Sequence, residues 1–297
     1  MIIDIHVHIA RSHSAPGRNG RYYPTPEEML AFMDQAGIDA AVVMARVSPE
    51  CAFRLVPPED VLEMCALHPK RLIPFCNIDP RMMLYRPDSD FRALLAYYKD
   101  CGCKGVGEYV ANLPFDDPHN MNVFQQAAEV DLPVTFHIGP TLGGCYGCYD
   151  DLGLPRLEKV MKAIPNLKFF GHSQPFWSEI SADVTTETRG GYPKGPVKEG
   201  RLVQLMRQYP HLYGDLSAGS GLNAISRDPE FGYQFITEFQ DRLFFGTDMC
   251  SHNVADWSEV DYLKDARDHG GISQEVYDKL MWKNASRVLG LGLEERG

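Results

Sequence analysis

Two histidines stand two residues apart at the end of an apolar, β-branched stretch, Met1-Ile2-Ile3-Asp4-Ile5-His6-Val7-His8. On a strand, side chains alternate between faces, so His6 and His8 point the same way. Two imidazoles side by side make half of a metal site. Residues that could supply the other half recur along the chain, each closing a short apolar run: Glu108, His137, His172 and Asp248. Imidazole nitrogens with carboxylate oxygens suit a divalent transition metal, Zn²⁺ first and Mn²⁺ or Fe²⁺ after it. One histidine at a strand end is ordinarily a packing residue held by a hydrogen bond. The repetition of polar residues at separate strand ends is what points to a shared site. Asp215 closes a run too, but Gly214, Ser217, Gly219, Ser220 and Gly221 around it read as a tight loop that an Asp organises.

The elements that must position these residues alternate. Apolar runs ending at His8, Ala45, Ile78, Glu108, His137, His172, Leu216 and Asp248 read as strands. Between them lie amphipathic helical segments. The first opens at Thr25-Pro26-Glu27-Glu28, a capping box with proline at the first helical position, and Gly37 closes it. The last runs from Ser258 to Leu289 with a break at Gly270-Gly271. Eight strand–helix units without a composition break predict an α/β fold, a (β/α)8 TIM-type barrel formed by residues 1–297 as one domain. All strand ends then meet at one rim, where the metal site belongs. An open doubly wound sheet is the rival, but it carries a glycine-rich phosphate loop after its first strand, where this chain has His-x-His. A Gly/Pro-rich insertion at about 173–200 caps the site or reaches a neighbour in a homo-oligomer.

Composition narrows the partners. A hydrophobic content of 44% and a charged content of 23% are those of a globular protein with a large core. The net charge of −11 argues against nucleic acid and anionic membranes and leaves a small molecule as the expected partner. No apolar run approaches the ~20 residues that span a bilayer. With no leader visible, the eight scattered cysteines read as reduced thiols and the location as cytoplasmic. Cys145 and Cys148 have knuckle-like spacing, but no second such pair exists, so they are expected only to line the mouth of the site. Arg46 and Arg81 lie just past the second and third strands, where either could grip a substrate carboxylate. Tyr146, Tyr149, Phe176 and Trp177 flank His137 and His172 and suggest an apolar wall, with Tyr146 and Trp177 touching substrate. His13, His119 and His252 fall on loops.

The sequences Asp4-Ile5-His6-Val7-His8, strand-end His137, Gly171-His172 and Phe245-Gly246-Thr247-Asp248 together resemble the amidohydrolase superfamily. The closer likeness is to its amidohydrolase-related branch, which includes aminocarboxymuconate-semialdehyde decarboxylase-like enzymes. The resemblance spans the chain and implies a metal-dependent barrel enzyme. It assigns His6, His8, His137 and Asp248 to a metal, with Asp248 also moving a proton. His172 matches either a histidine that orients water or substrate, or a ligand of a second ion. Glu108 falls where two-ion members carry a bridging ligand, which favours hydrolysis of a small, carboxylated ester, lactone or amide. The alternative on the same residues is a decarboxylase or hydratase of an unsaturated or aromatic acid. A catalytically dead binding barrel is disfavoured because every ligand position is intact, and a nuclease because no basic groove is evident.

Overall fold

The structure is a computed structural model and describes residues 1–13, 16–17, 20–254 and 256–293. Eight short strands frame the barrel: β1 (Ile3–Val7), β2 (Ala40–Val43), β3 (Leu72–Pro74), β4 (Val106–Tyr109), β5 (Val134–Gly139), β6 (Phe169–His172), β7 (Leu212–Asp215) and β8 (Leu243–Phe244), with a two-residue strand, Cys148–Tyr149, paired on the end of β5. Strands β1 to β3 pair in parallel in chain order, and so do β4 to β8. Two parallel bridges join these sheets at both edges. Cys76, just past β3, pairs with Val106 of β4, and Val7 of β1 pairs with Met249 beyond β8. Backbone bonds run across the second seam, from Ile5 N–H to Phe245 O at 3.0 Å and from Asp248 N–H to His6 O at 2.9 Å. The eight strands therefore close into the predicted parallel barrel, and their C-terminal ends share one rim.

β1 and β2 are buried on both faces because one face fills the barrel and the other meets the helices. Ile3, Ile5 and Val7 are buried, as are Ala41, Val42 and Val43. Regular pairing is shorter than the apolar runs suggested, most of all at β8, where the run continues to Asp248. The chain there leaves the extended conformation: Asp248 has φ of +52°. The Thr25 capping box forms, and Gly37 ends that helix at φ of +72°. The loop expected after Asp215 is instead a helix, Ala218–Ser226. Gly221 lets it lie against the strand end, since a Cβ there would fall 1.8 Å from Leu216 O. The last helical segment breaks at Gly270 as predicted and resumes at Gln274. No helix among the described residues is long and apolar enough to cross a membrane.

The insertion begins with a short helix, Gln174–Ser178, and folds back onto its own chain. Arg189 is buried and donates from Nη1 to Asp150 O at 2.8 Å, while Ser178 Oγ donates to Arg189 O at 2.9 Å. Gly171, one residue before His172, faces the Phe176 ring so closely that a Cβ would fall 2.1 Å from it. Gly171→Ala should therefore destabilise the protein by about 1–3 kcal/mol, the range for forced overpacking. Urea unfolding should register it as a lower midpoint with an unchanged slope.

Candidate active site

Strand alternation brings His6 and His8 to the rim together, with their Nε2 atoms 3.1 Å apart. That spacing fits two nitrogens that share one ion, since Zn–N bonds of about 2.0–2.1 Å put neighbouring ligands roughly 3–3.4 Å apart. Asp248 reaches in from beyond β8, its Oδ1 lying 3.3 Å from His8 Nε2 and 3.8 Å from His6 Nε2. Glu108 comes from β4, with Oε2 at 3.5 Å from His8 Nε2 and 3.9 Å from His6 Nε2. Its Oε1 accepts from His137 Nδ1 at 2.9 Å, and Tyr146 OH donates to its Oε2. His172 Nε2 lies 3.8 Å from Asp248 Oδ2. Ligand atoms of His6, His8 and Asp248 fall within 4.8 Å of one another, and so do those of Glu108, His137 and His172. The metal-ligand candidates read from the sequence thus gather at one rim as two neighbouring triads, and the all-nitrogen-and-oxygen donor set fits a divalent ion.

The residues behind this cluster were less legible. Asp215 organises the turn into the helix that replaces the expected loop, accepting Ser217 N–H on Oδ1 at 3.0 Å. It also binds His6, with Oδ2 at 2.7 Å from Nδ1. A carboxylate only accepts, so His6 carries a proton on Nδ1, which leaves Nε2 as the nitrogen available to an ion beside His8. Asp4 is buried behind the seam. Its Oδ1 accepts from His6 N at 2.9 Å and Thr247 N at 3.0 Å, and its Oδ2 accepts from Thr247 Oγ1 at 2.5 Å. Asp4 shares a strand face with His6 and His8, and that period-2 position was the signal that could have singled it out.

Charge is concentrated here. Burial opposes a charged His6, but Asp215 first, then Asp248 and Glu108, raise its pKa to about 10. Burial also opposes ionised Asp248, yet the hydrogen bond from His8 and the charges of His6 and His8 hold it near 2. Glu108 is likewise held well below the usual carboxylate range, burial being outweighed by His137 and His8. His172 moves the other way, because burial keeps its imidazole neutral. Burial alone raises Asp4 to about 7 despite its three donors.

A cavity of about 730 Å³, lined among others by Arg21, Tyr23, Phe53 and Asn112, meets the cluster through Arg46 and Tyr146, which both reach Glu108. The Arg46 guanidinium lies between two rings, 5.3 Å from Tyr23 and 5.0 Å from Tyr146, with Nη1 at 3.9 Å from Glu108 Oε2. Arg46 Nε and Tyr23 OH are buried without hydrogen-bond partners among the described residues. Two other expectations require correction. Arg81 is spent on its own surroundings: Nε and Nη2 bind Asp79 at 2.8 and 2.6 Å, and Nη2 binds Glu50 at 2.5 Å. Trp177 is no wall of the site. It is buried behind the strand ends, where Nε1–H donates to Asp215 O at 2.9 Å. Tyr149 OH bonds Asp151, and Phe176 is buried under Gly171. Cys145 and Cys148 are free thiols; Cys145 Sγ donates to Thr141 O at 2.8 Å. The loop histidines have local partners: His13 with Glu28, His119 with Asp117, and His252 with Tyr22 N–H.

The amidohydrolase family model matches residues 3–291. No curated protein sequence matches the chain. Among solved structures, a putative 2-pyrone-4,6-dicarboxylic acid hydrolase from Pseudomonas putida superposes with a TM-score of 0.65 at 16% identity, over 99% of this chain and 98% of that one. A 5-carboxyvanillate decarboxylase from Novosphingobium aromaticivorans, complexed with manganese and 4-hydroxy-3-methoxy-5-nitrobenzoic acid, gives 0.64 at 16%, over 98% and 96%. A 2,6-dihydroxybenzoate decarboxylase from Rhizobium gives 0.61 at 16%, over 98% of both chains. At these identities the likeness is one of fold, and it includes both reaction types.

Thr247→Val keeps the shape at the seam and removes the hydroxyl that serves Asp4. A lost hydrogen bond to a charged or buried carboxyl should cost about 1.5–3 kcal/mol. Chemical denaturation of the variant beside the parent protein measures it; a change near zero would mean Asp4 does not pin the seam.

Proposed function

The chain belongs to the amidohydrolase family, and from that premise we propose that it is a metal-dependent hydrolase of a small carboxylated ester, lactone or amide. His6, His8 and Asp248 would hold a divalent ion, Zn²⁺ or Mn²⁺, with Glu108 and His137 closing the set. Such an ion, when bound, polarises a carbonyl and lowers the pKa of water to about 7.

The observation that carries hydrolysis is the position of Glu108. With Asp248 it brings a second carboxylate within 3.9 Å of both His6 and His8 Nε2. Two carboxylates cancel the charge of a divalent ion, which weakens its hold on a further anionic group and favours a neutral carbonyl and water. Asp248 Oδ2, on the side of His172, accepts the proton of the attacking water and returns it to the leaving group. His172, neutral and buried, donates a hydrogen bond to the carbonyl oxygen as charge builds there. Arg46, caged by Tyr23 and Tyr146 and with an Nε unpaired among the described residues, holds the substrate carboxylate away from the reacting carbonyl.

A second reading has its own support. Tyr146, His137 and Arg46 also satisfy Glu108 as a local charge. Were that its whole role, His6, His8 and Asp248 would favour an anionic substrate, as in a decarboxylase. The two reactions separate on a panel of lactones, esters and aromatic acids in isotopically heavy water. Hydrolysis places one water oxygen in the product acid and releases no gas; release of CO₂ without that oxygen would replace this reading with the second.

Metal analysis of the purified protein should find a tightly held divalent ion that His8→Ala loses. Chelation should abolish turnover, and adding Zn²⁺ or Mn²⁺ should restore it. Arg46→Ala should raise KM roughly 10–100-fold, corresponding to a charged hydrogen bond of about 1.5–3 kcal/mol. Arg81→Ala, whose guanidinium is already paired, should leave KM unchanged; steady-state kinetics on the same substrate decides both.

A further inference from the structure

Ser217 caps the helix Ala218–Ser226 by position, with extended backbone at φ −55° and ψ 155°. Serine at that position ordinarily accepts a helix N–H on its hydroxyl, an arrangement worth about 1 kcal/mol. Here the hydroxyl makes no cap bond. It is fully buried and turned to the site, 2.9 Å from His172 Nδ1 and 3.4 Å from His6 Nδ1. The next residue, Ala218, sits at φ of +63°, a conformation that costs a residue with a Cβ about 1–3 kcal/mol. Room for the serine comes from Gly246, where a Cβ would stand 2.9 Å from Ser217 Cβ. The helix start thus gives up a local bond and accepts strain, and what it gains is a hydroxyl between two histidines.

The direction of its bond follows from proton counting. His6 Nδ1–H points to Asp215 and, at longer range, to Ser217 Oγ, so the serine oxygen faces a donor on that side. If His172 also carried its proton on Nδ1, with Asp215 Oδ2 out of hydrogen-bond range at 3.8 Å, both N–H groups would fall on the lone pairs of one hydroxyl, and the serine proton would be left without an acceptor among the described residues. Donation from Ser217 to His172 Nδ1 satisfies every group. We propose that Ser217 is a positioning residue whose hydroxyl donates to His172 Nδ1 and so fixes the His172 proton on Nε2, facing Asp248. His172 is then a hydrogen-bond donor to substrate and not a ligand of a second ion. The use made of that proton rests on the hydrolytic reading above; the tautomer itself does not.

The test is the tautomer, read without substrate. Protein labelled at histidine with the heavy nitrogen isotope and loaded with diamagnetic Zn²⁺ is examined by two-bond proton–nitrogen correlation, with His172→Gln assigning the ring. The expected spectrum has His172 Nδ1 unprotonated and Nε2 protonated. Ser217→Ala, which loses no cap bond because none exists, should convert this single species into a mixture of both tautomers. A proton on Nδ1 in the parent protein, or a bare, metal-shifted Nε2, would overturn the proposal. So would a variant that keeps the parent tautomer. Because the spectrum is recorded without substrate, a failed tautomer removes the donor role of His172 but leaves hydrolysis itself to the water-oxygen test, and absence of hydrolysis leaves the tautomer standing.

Discussion

The site exists because the first strand is tied to the last. His6 and His8 lie near the start of the chain and Asp248 near its end, and only closure of the barrel brings them within 4 Å. The tie is a buried carboxylate: Asp4 takes donors from His6 N, Thr247 N and Thr247 Oγ1. Removing such a group from water is costly, and three directed donors offset only part of that cost, since burial still raises Asp4 to about 7. The same seam sets Asp248 at φ of +52°, a left-handed backbone that an Asp tolerates better than most residues and that a functional site can justify.

Around that seam the charges are arranged in two layers. The inner layer is His6, His8, Glu108 and Asp248. The outer layer, Asp215 and Ser217 behind the imidazoles and His137 and Tyr146 around Glu108, decides where protons reside. Asp215 is the sharpest case. One of its oxygens shapes the turn after β7, and the other fixes the His6 tautomer, so a loop-organising role and a chemical role fall to one carboxylate. Trp177 in turn holds the Asp215 carbonyl, which makes it a support for the site from behind.

The mouth has a different logic. The chain is strongly acidic, yet the cavity that meets the cluster holds Arg21 and Arg46, and Arg46 is buried between two aromatic faces. A guanidinium so placed keeps its charge and loses competing water, which strengthens any carboxylate it meets. Arg81, equally close to a strand end in sequence, is neutralised by Asp79 and Glu50. What separates the two arginines is which carboxylates lie within reach of each.

The sequence by itself determined the frame. Period-2 runs ending in polar residues, alternating with capped helices, sufficed for the barrel and for the convergence of His6, His8, Glu108, His137, His172 and Asp248, because a closed parallel barrel sends every strand end to one rim. What only the tertiary structure decided was the state and availability of those groups. The helix after Asp215, the turn of Ser217 away from its cap, the retreat of Trp177 into the core and the pairing of Arg81 all depend on contacts between segments distant in the chain. Local pattern encodes which face a side chain occupies. Its proton, its charge and its access to substrate are set by neighbours that only closure of the barrel assembles.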